Sequence, residues 1–196
     1  MIEHTQIGSF REAWSLHLPY SIGDAGSVRW TPDRTLQAAL PIGHHGPRIS
    51  EWAGIIEANH HPNLTLAARR LLRAVNERDA VDDALVDAVI ALESLLGADG
   101  PELTFRVSFA VALLLGGDAS GREVLRARTA HLYDIRSQVV HSGDVKKFKQ
   151  YQSLDHAAAD AVGLAAAVLA NLYQGPASLR ECKNKDRGQN IFLGRP

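Results

Sequence analysis

The hydrophobic pattern of the chain changes character at the His61–Pro62 step. Beyond it, apolar residues recur at spacings of three and four, which marks helices with one buried stripe. Five such segments follow. Asn63–Arg78 aligns Leu64, Ala67, Ala68, Leu71, Leu72 and Val75, with Asn63 in position to cap it. Asp79–Gly97 aligns Val81, Leu85, Ala88, Val89, Leu92, Leu95 and Leu96, and Gly97 is placed to end it. Pro101–Gly117 opens with proline in its first turn. Ser120–Gly143 opens with Ser120 and Glu123 at capping-box spacing. Ser153–Gly175 is rich in alanine, which implies close approach to a neighbouring helix.

Short connections between apolar-faced helices predict antiparallel packing, so residues 63–175 read as an all-α bundle of four to five helices. Residues 1–62 read differently. Turn signals interrupt "AWSLHL" and "SVRW", two short candidate strands, and the three tryptophans, Trp14, Trp30 and Trp52, all fall there. A small irregular or β-containing extension is expected, packed on the bundle by those rings, because so short a segment is marginal alone. Residues 176–196 are expected as a C-terminal tail.

Composition narrows the function classes. The chain has 196 residues, 45% hydrophobic and 22% charged, so an ordinary core needs no staple. Its net charge is -1, from 21 basic and 22 acidic residues, so any nucleic-acid contact must rest on local patches. Cys182 is the one cysteine, which excludes an internal disulfide and reads as a surface thiol. The first residues show no signal-peptide pattern, and no apolar run has the length of a bilayer span; a cytoplasmic protein without membrane attachment is expected. The pairs His44–His45 and His60–His61 lack a third ligand at metal spacing and read as loop residues, so no metal or other cofactor is expected. Neither glycine-rich nucleotide motif is present.

The chemistry concentrates in "LYDIRSQVVHSGD", Leu132–Asp144. On a helical projection Val124, Leu125, Leu132, Ile135 and Val139 form the core stripe. Tyr133, Ser137 and His141 share another side, with Asp134 beside them and Arg136 at the border. One reading is a solvated helix end, where a late histidine suits the helix dipole. The other is a phosphate site. A guanidinium grips phosphate with two parallel hydrogen bonds, and an imidazole moves protons near neutrality. One histidine per chain cannot serve as base and acid at once, so a homodimer is the natural assembly. Lys146, Lys147 and Lys149, interleaved with Phe148 and Tyr151, follow directly and suit a nucleic-acid strand as well as a solvated loop.

These residues resemble the HEPN domain superfamily, in particular its Apea-like branch. The resemblance lies in R-x4-H, here Arg136 to His141, in Tyr133-Asp134 before it, in Ala91-Leu92-Glu93 on an earlier helix, and in Glu102 followed by Arg106. It covers roughly residues 63–175 and departs by one residue at Ser142-Gly143, where the family has glycine directly after histidine. The resemblance implies a metal-independent endoribonuclease built by two protomers, often a toxin, an RNA-processing factor or an antiviral effector, sometimes silenced by an antitoxin or regulatory partner. It also admits a non-catalytic nucleotide- or RNA-binding or dimerisation module. Carried over by position, Arg136 is the phosphate ligand and His141 the acid/base. Ser137, Asp134 and Tyr133 are supporting residues. Glu93, by residue type, is the carboxylate expected to hold Arg136.

Overall fold

The computed structural model describes residues 42–97, 102–142 and 151–195, with side chains from Ser50 onward. They form eight helices: α1 (Ile42–Asn59), α2 (Pro62–Asn76), α3 (Val81–Leu96), α4 (Leu103–Leu115), α5 (Ala119–Ser142), α6 (Leu154–Gln174), α7 (Ala177–Glu181) and α8 (Asn184–Phe192). No strand occurs among the described residues. The α2–α3 and α4–α5 pairs are helical hairpins, and α6 closes the bundle against α3. Helix α3 is the centre, touching α2, α4, α5, α6 and α8. Its position accounts for its pattern: Ala84, Leu85, Ala88, Val89, Ala91, Leu92, Leu95 and Leu96 are buried over most of its circumference.

The helix ends differ from expectation in detail. Helix α2 starts with Pro62, and His61 caps it, its Nδ1 accepting from the Asn63 amide at 3.2 Å. Asn63, the expected cap, instead donates through Nδ2 to the Glu181 and Cys182 carbonyls, at 3.0 and 2.9 Å. Helix α5 is capped by Asp118, which accepts from the Gly121 amide at 2.7 Å. Glu123 is thereby released from the expected capping box and pairs with Arg126 at 2.6 Å. Ser153 caps α6 as expected, accepting from the His156 amide at 3.3 Å.

Helical structure also extends past both expected limits. Helix α1 covers the last part of the supposed extension, including the His44–His45 pair read as a loop, and packs on α6. Trp52, Ile55 and Ile56 rest against the core. Trp14, Trp30 and the two candidate strands lie outside the described residues. His60 joins α1 to the bundle through the Tyr173 hydroxyl at 2.8 Å and Thr65 Oγ1 at 3.0 Å. The tail expected over 176–196 contains α7 and α8, and α8 packs on α3 and α4. Cys182 is half-buried there, with Sγ 3.3 Å from the Leu179 carbonyl.

Among the described residues, α6 alone is long and apolar enough to cross a membrane. Its Ala157, Ala161, Leu164, Ala165 and Val168 are core residues of this bundle. Two charge clusters brace the packing. Asp87 on α3, 1% exposed, accepts from Arg70 Nη1 and Arg78 Nε, both at 2.6 Å. Asp160 on α6 accepts from Arg128 Nε and the Tyr151 hydroxyl, both at 2.5 Å, which ties α5 to α6.

Candidate functional site

Helix α5 carries the candidate residues, and its buried face is Thr129, Leu132, Tyr133 and Ile135. Thr129, Leu132, Tyr133 and Arg136 stand at i, i+3, i+4 and i+7, which is one face of a helix. Arg136 therefore lies on the inward arc and not at its border. Tyr133 belongs to the core, only 7% exposed. That corrects the face expected to hold Tyr133, Ser137 and His141 together. A ring of that size within reach of α3 is buried for its apolar area, and its hydroxyl goes with it. Val124, expected in the core stripe, is 60% exposed.

Ser137 and His141 are exposed, as is Asp134. At about 100° per residue, the five steps from Arg136 to His141 turn the two side chains roughly 140° apart. Within one chain the guanidinium faces the α3–α5 seam while the imidazole faces outward in the last turn. The final turn is tightened by side-chain bonds to carbonyls four residues back, Gln138 to Asp134 at 3.3 Å and Ser142 to Gln138 at 2.6 Å. Lys146, Lys147 and Lys149 lie outside the described residues.

Glu93 on α3 lies near enough to Arg136 and Tyr133 for their charges to act on one another. It makes no hydrogen bond or ion pair with either, so the expected hold of Glu93 on Arg136 is electrostatic only. Burial raises its proton affinity above the ordinary carboxylate range, and Arg136 nearby pulls the other way. The net shift is upward, so desolvation outweighs the attraction of the guanidinium. Burial, and then the Glu93 charge, also push the Tyr133 phenol up, so it remains a neutral donor. Neither the Tyr133 hydroxyl nor Arg136 Nε has a hydrogen-bond partner, although both are enclosed. Arg136 as a whole is half-buried, and its Nε is enclosed on the inward arc.

The sign of the Glu93 shift gives a stability test. Its folded-state pKa lies above the unfolded value. The cost of burying the charged form is thus absent below about pH 4.3 and incurred as pH rises through the raised value. Glu93→Gln should therefore gain stability relative to wild type on going from about pH 4 to about pH 7. Urea unfolding at both pH values measures this. A wild type that gains on the variant as pH rises would mean that the Arg136 attraction governs.

Residue type and spacing did not single out the surface beside this seam. Phe105 and Phe109 on α4 pack at a tilt of 41° with ring centroids 4.4 Å apart, and Phe192 of α8 lies 6.5 Å from Phe109. The Arg126 guanidinium lies over the Phe109 ring, 5.5 Å from its centroid. The available signal was that α4 is apolar on both faces, with Val107 and Val111 buried and Phe105 and Leu113 on the other side. Comparison with protein-family models, with curated proteins and with solved structures gives no match for this chain.

Proposed function

We propose that this chain is a HEPN-type, metal-independent endoribonuclease that works as a homodimer in the cytoplasm, in a toxin or defence role. The observation that carries the proposal is the setting of Arg136. A permanent cation is half-buried near Glu93 and Tyr133, little more than a turn from an exposed imidazole on the same helix. In this reading the Arg136 fork binds the scissile phosphate through paired hydrogen bonds. One His141 takes the proton of the 2′-hydroxyl, whose oxygen attacks phosphorus. The partner's His141 protonates the departing 5′-oxygen. The bond to that oxygen breaks, leaving a 2′,3′-cyclic phosphate and a free 5′-hydroxyl. Val140, 51% exposed beside His141, offers apolar surface to the second protomer.

A second reading has its own support. Arg136 stands on the core-facing arc within reach of Glu93, the position of a structural cation, and would then belong to a non-catalytic binding or dimerisation module. The two readings separate in one assay. Purified protein is incubated with mixed RNA in excess EDTA. Cleavage with cyclic-phosphate ends, lowered by about two to four orders of magnitude in His141→Ala, is the expected result. No cleavage, or cleavage that His141→Ala retains, would leave the module reading. His141 is exposed, so its removal should not disturb folding.

A further inference from the structure

We infer that the outer face of α4, with Phe192 and Arg126, is a stacking platform for single-stranded RNA leading to the His141 end of α5. The inference rests on the ribonuclease reading for its choice of ligand.

Phe105 is 53% exposed and Phe192 37% exposed, large values for phenylalanine rings. They are not scattered. Phe105 and Phe109 are one turn apart on α4 and in ring contact, and Phe192 extends the row onto α8. Phe109 between them is half-buried, so the open rings are Phe105 and Phe192, and open rings take up bases by stacking, without regard to their sequence. Charge complementarity favours a polyanion. Arg126 lies over Phe109, and Arg106 stands beside Phe105 and Phe109 on the same outer side of α4. The acids of these elements and their caps are Glu102, Asp118, Glu123, Asp134 and Asp186. Glu123 is held by Arg126 through two hydrogen bonds, at 2.6 and 3.0 Å, and Asp118 is occupied as the α5 cap. A guanidinium above a ring, flanked by open rings, presents cation and π-face together, as a nucleotide requires.

The platform is also continuous with the candidate site. Arg126, Ser137 and His141 stand at i, i+11 and i+15 on α5, within about 60° of one another on a stripe whose inner edge is the buried Tyr133 at i+7. The distance along the axis from Arg126 to Ser137 is about 16 Å at 1.5 Å per residue, within the reach of a few nucleotides. A strand stacked on the open rings can follow this stripe to His141. It must be single-stranded, because paired bases cannot offer their faces to the rings.

The test uses the full chain in a His141→Ala background, so that RNA is bound and not cut, and a labelled single-stranded oligonucleotide followed by anisotropy. Phe105→Ala should weaken binding roughly tenfold, and Phe105→Tyr should preserve it. Arg126→Gln should weaken binding and flatten its salt dependence. A duplex of the same sequence should bind less well and be insensitive to Phe105. An unchanged affinity in Phe105→Ala, or full binding by Phe105→Leu, would overturn the platform. So would a fall in mass from dimer to monomer in light scattering with Phe105→Ala, which would assign the face to a second copy of the chain. The two proposals fail separately. Cleavage by the otherwise wild-type enzyme with an unchanged KM in Phe105→Ala removes the platform alone. Ring-dependent binding without cleavage removes the ribonuclease alone.

Discussion

Arg187→Ala should destabilise the protein by about 3–4 kcal/mol, the largest stability effect expected of any single substitution here. Arg187 is fully buried on α8. Its Nε donates to the Leu179 carbonyl at 2.5 Å, Nη1 to Leu95 at 2.7 Å, and Nη2 to Arg180 and Cys182 at 3.1 and 3.3 Å. Leu95 lies in the last turn of α3, whose carbonyls have no partner within the helix. The guanidinium thus closes the C-terminal end of the central helix and the α7–α8 joint together, where the partial negative charge of carbonyl ends is favourable to a cation. Removing it leaves several enclosed acceptors unsatisfied, and the spacing suits only a planar fork. Arg187→Lys should therefore recover little. Beside Arg187, the Gly188 backbone lies close to the next carbonyl of α3, that of Leu96. A Cβ there would lie 2.5 Å from the Leu96 carbonyl oxygen, so Gly188→Ala should also destabilise, by about 1–3 kcal/mol. Thermal unfolding checks both. At about 2–4 °C per kcal/mol for a chain of this size, Arg187→Ala should melt roughly 10 °C below wild type. A shift of only a degree or two would refute the account.

The second large effect concerns assembly of the proposed ribonuclease. Arg136→Ala and His141→Ala should each lower RNA cleavage by at least about two orders of magnitude, and a mixture of the two inactive proteins should regain activity. Arg136 and His141 diverge by roughly 140° on α5, so one chain does not aim them at one point. Two-fold symmetry can bring the imidazole of one protomer to the guanidinium of the other. In a freely exchanging mixture roughly half of the dimers are mixed, and each holds one intact Arg136 and one intact His141 on opposite chains. Partial recovery, well below the wild-type rate, is the expected outcome, because each mixed dimer regains one Arg136–His141 set but keeps only one of the two imidazoles. Arg136→Lys should rescue poorly, because an ammonium cannot make the paired contact. Absence of recovery in mixtures shown to exchange subunits would place each site within a single chain. A monomer in light scattering at assay concentration would do the same.

Much of the bundle follows from local pattern. The stripes of α2 through α6, the glycines that end α3, α4 and α6, and the Ser153 cap were legible because each depends on residues within a few positions of one another. The caps that differed show where such reasoning stops. His61 and Asp118 compete with Asn63 and Ser120 over one or two positions, and the entry path of the chain chooses between acceptors of similar chemistry. In the candidate site, residue type carried more weight than position. A projection built on the apolar residues alone puts Arg136 at the border of their stripe, whereas its spacing from the buried Thr129, Leu132 and Tyr133 puts it on the inward face.

Local pattern was enough to read the five helices between residues 63 and 175, and to see that an arginine, a serine and a histidine close one of them; α1, α7 and α8 were not legible in it. Periodicity alone carries this information, since a helix repeats over 3.6 residues whatever it later packs against. Packing between distant segments sets which side of α5 faces inward, brings the Glu93 charge to bear on Tyr133, and makes Arg187 core and not tail. Its bond to Leu95 spans 92 positions of the chain. A polar residue becomes a buried one only when partners arrive from distant segments to replace its water, and no local pattern records their arrival.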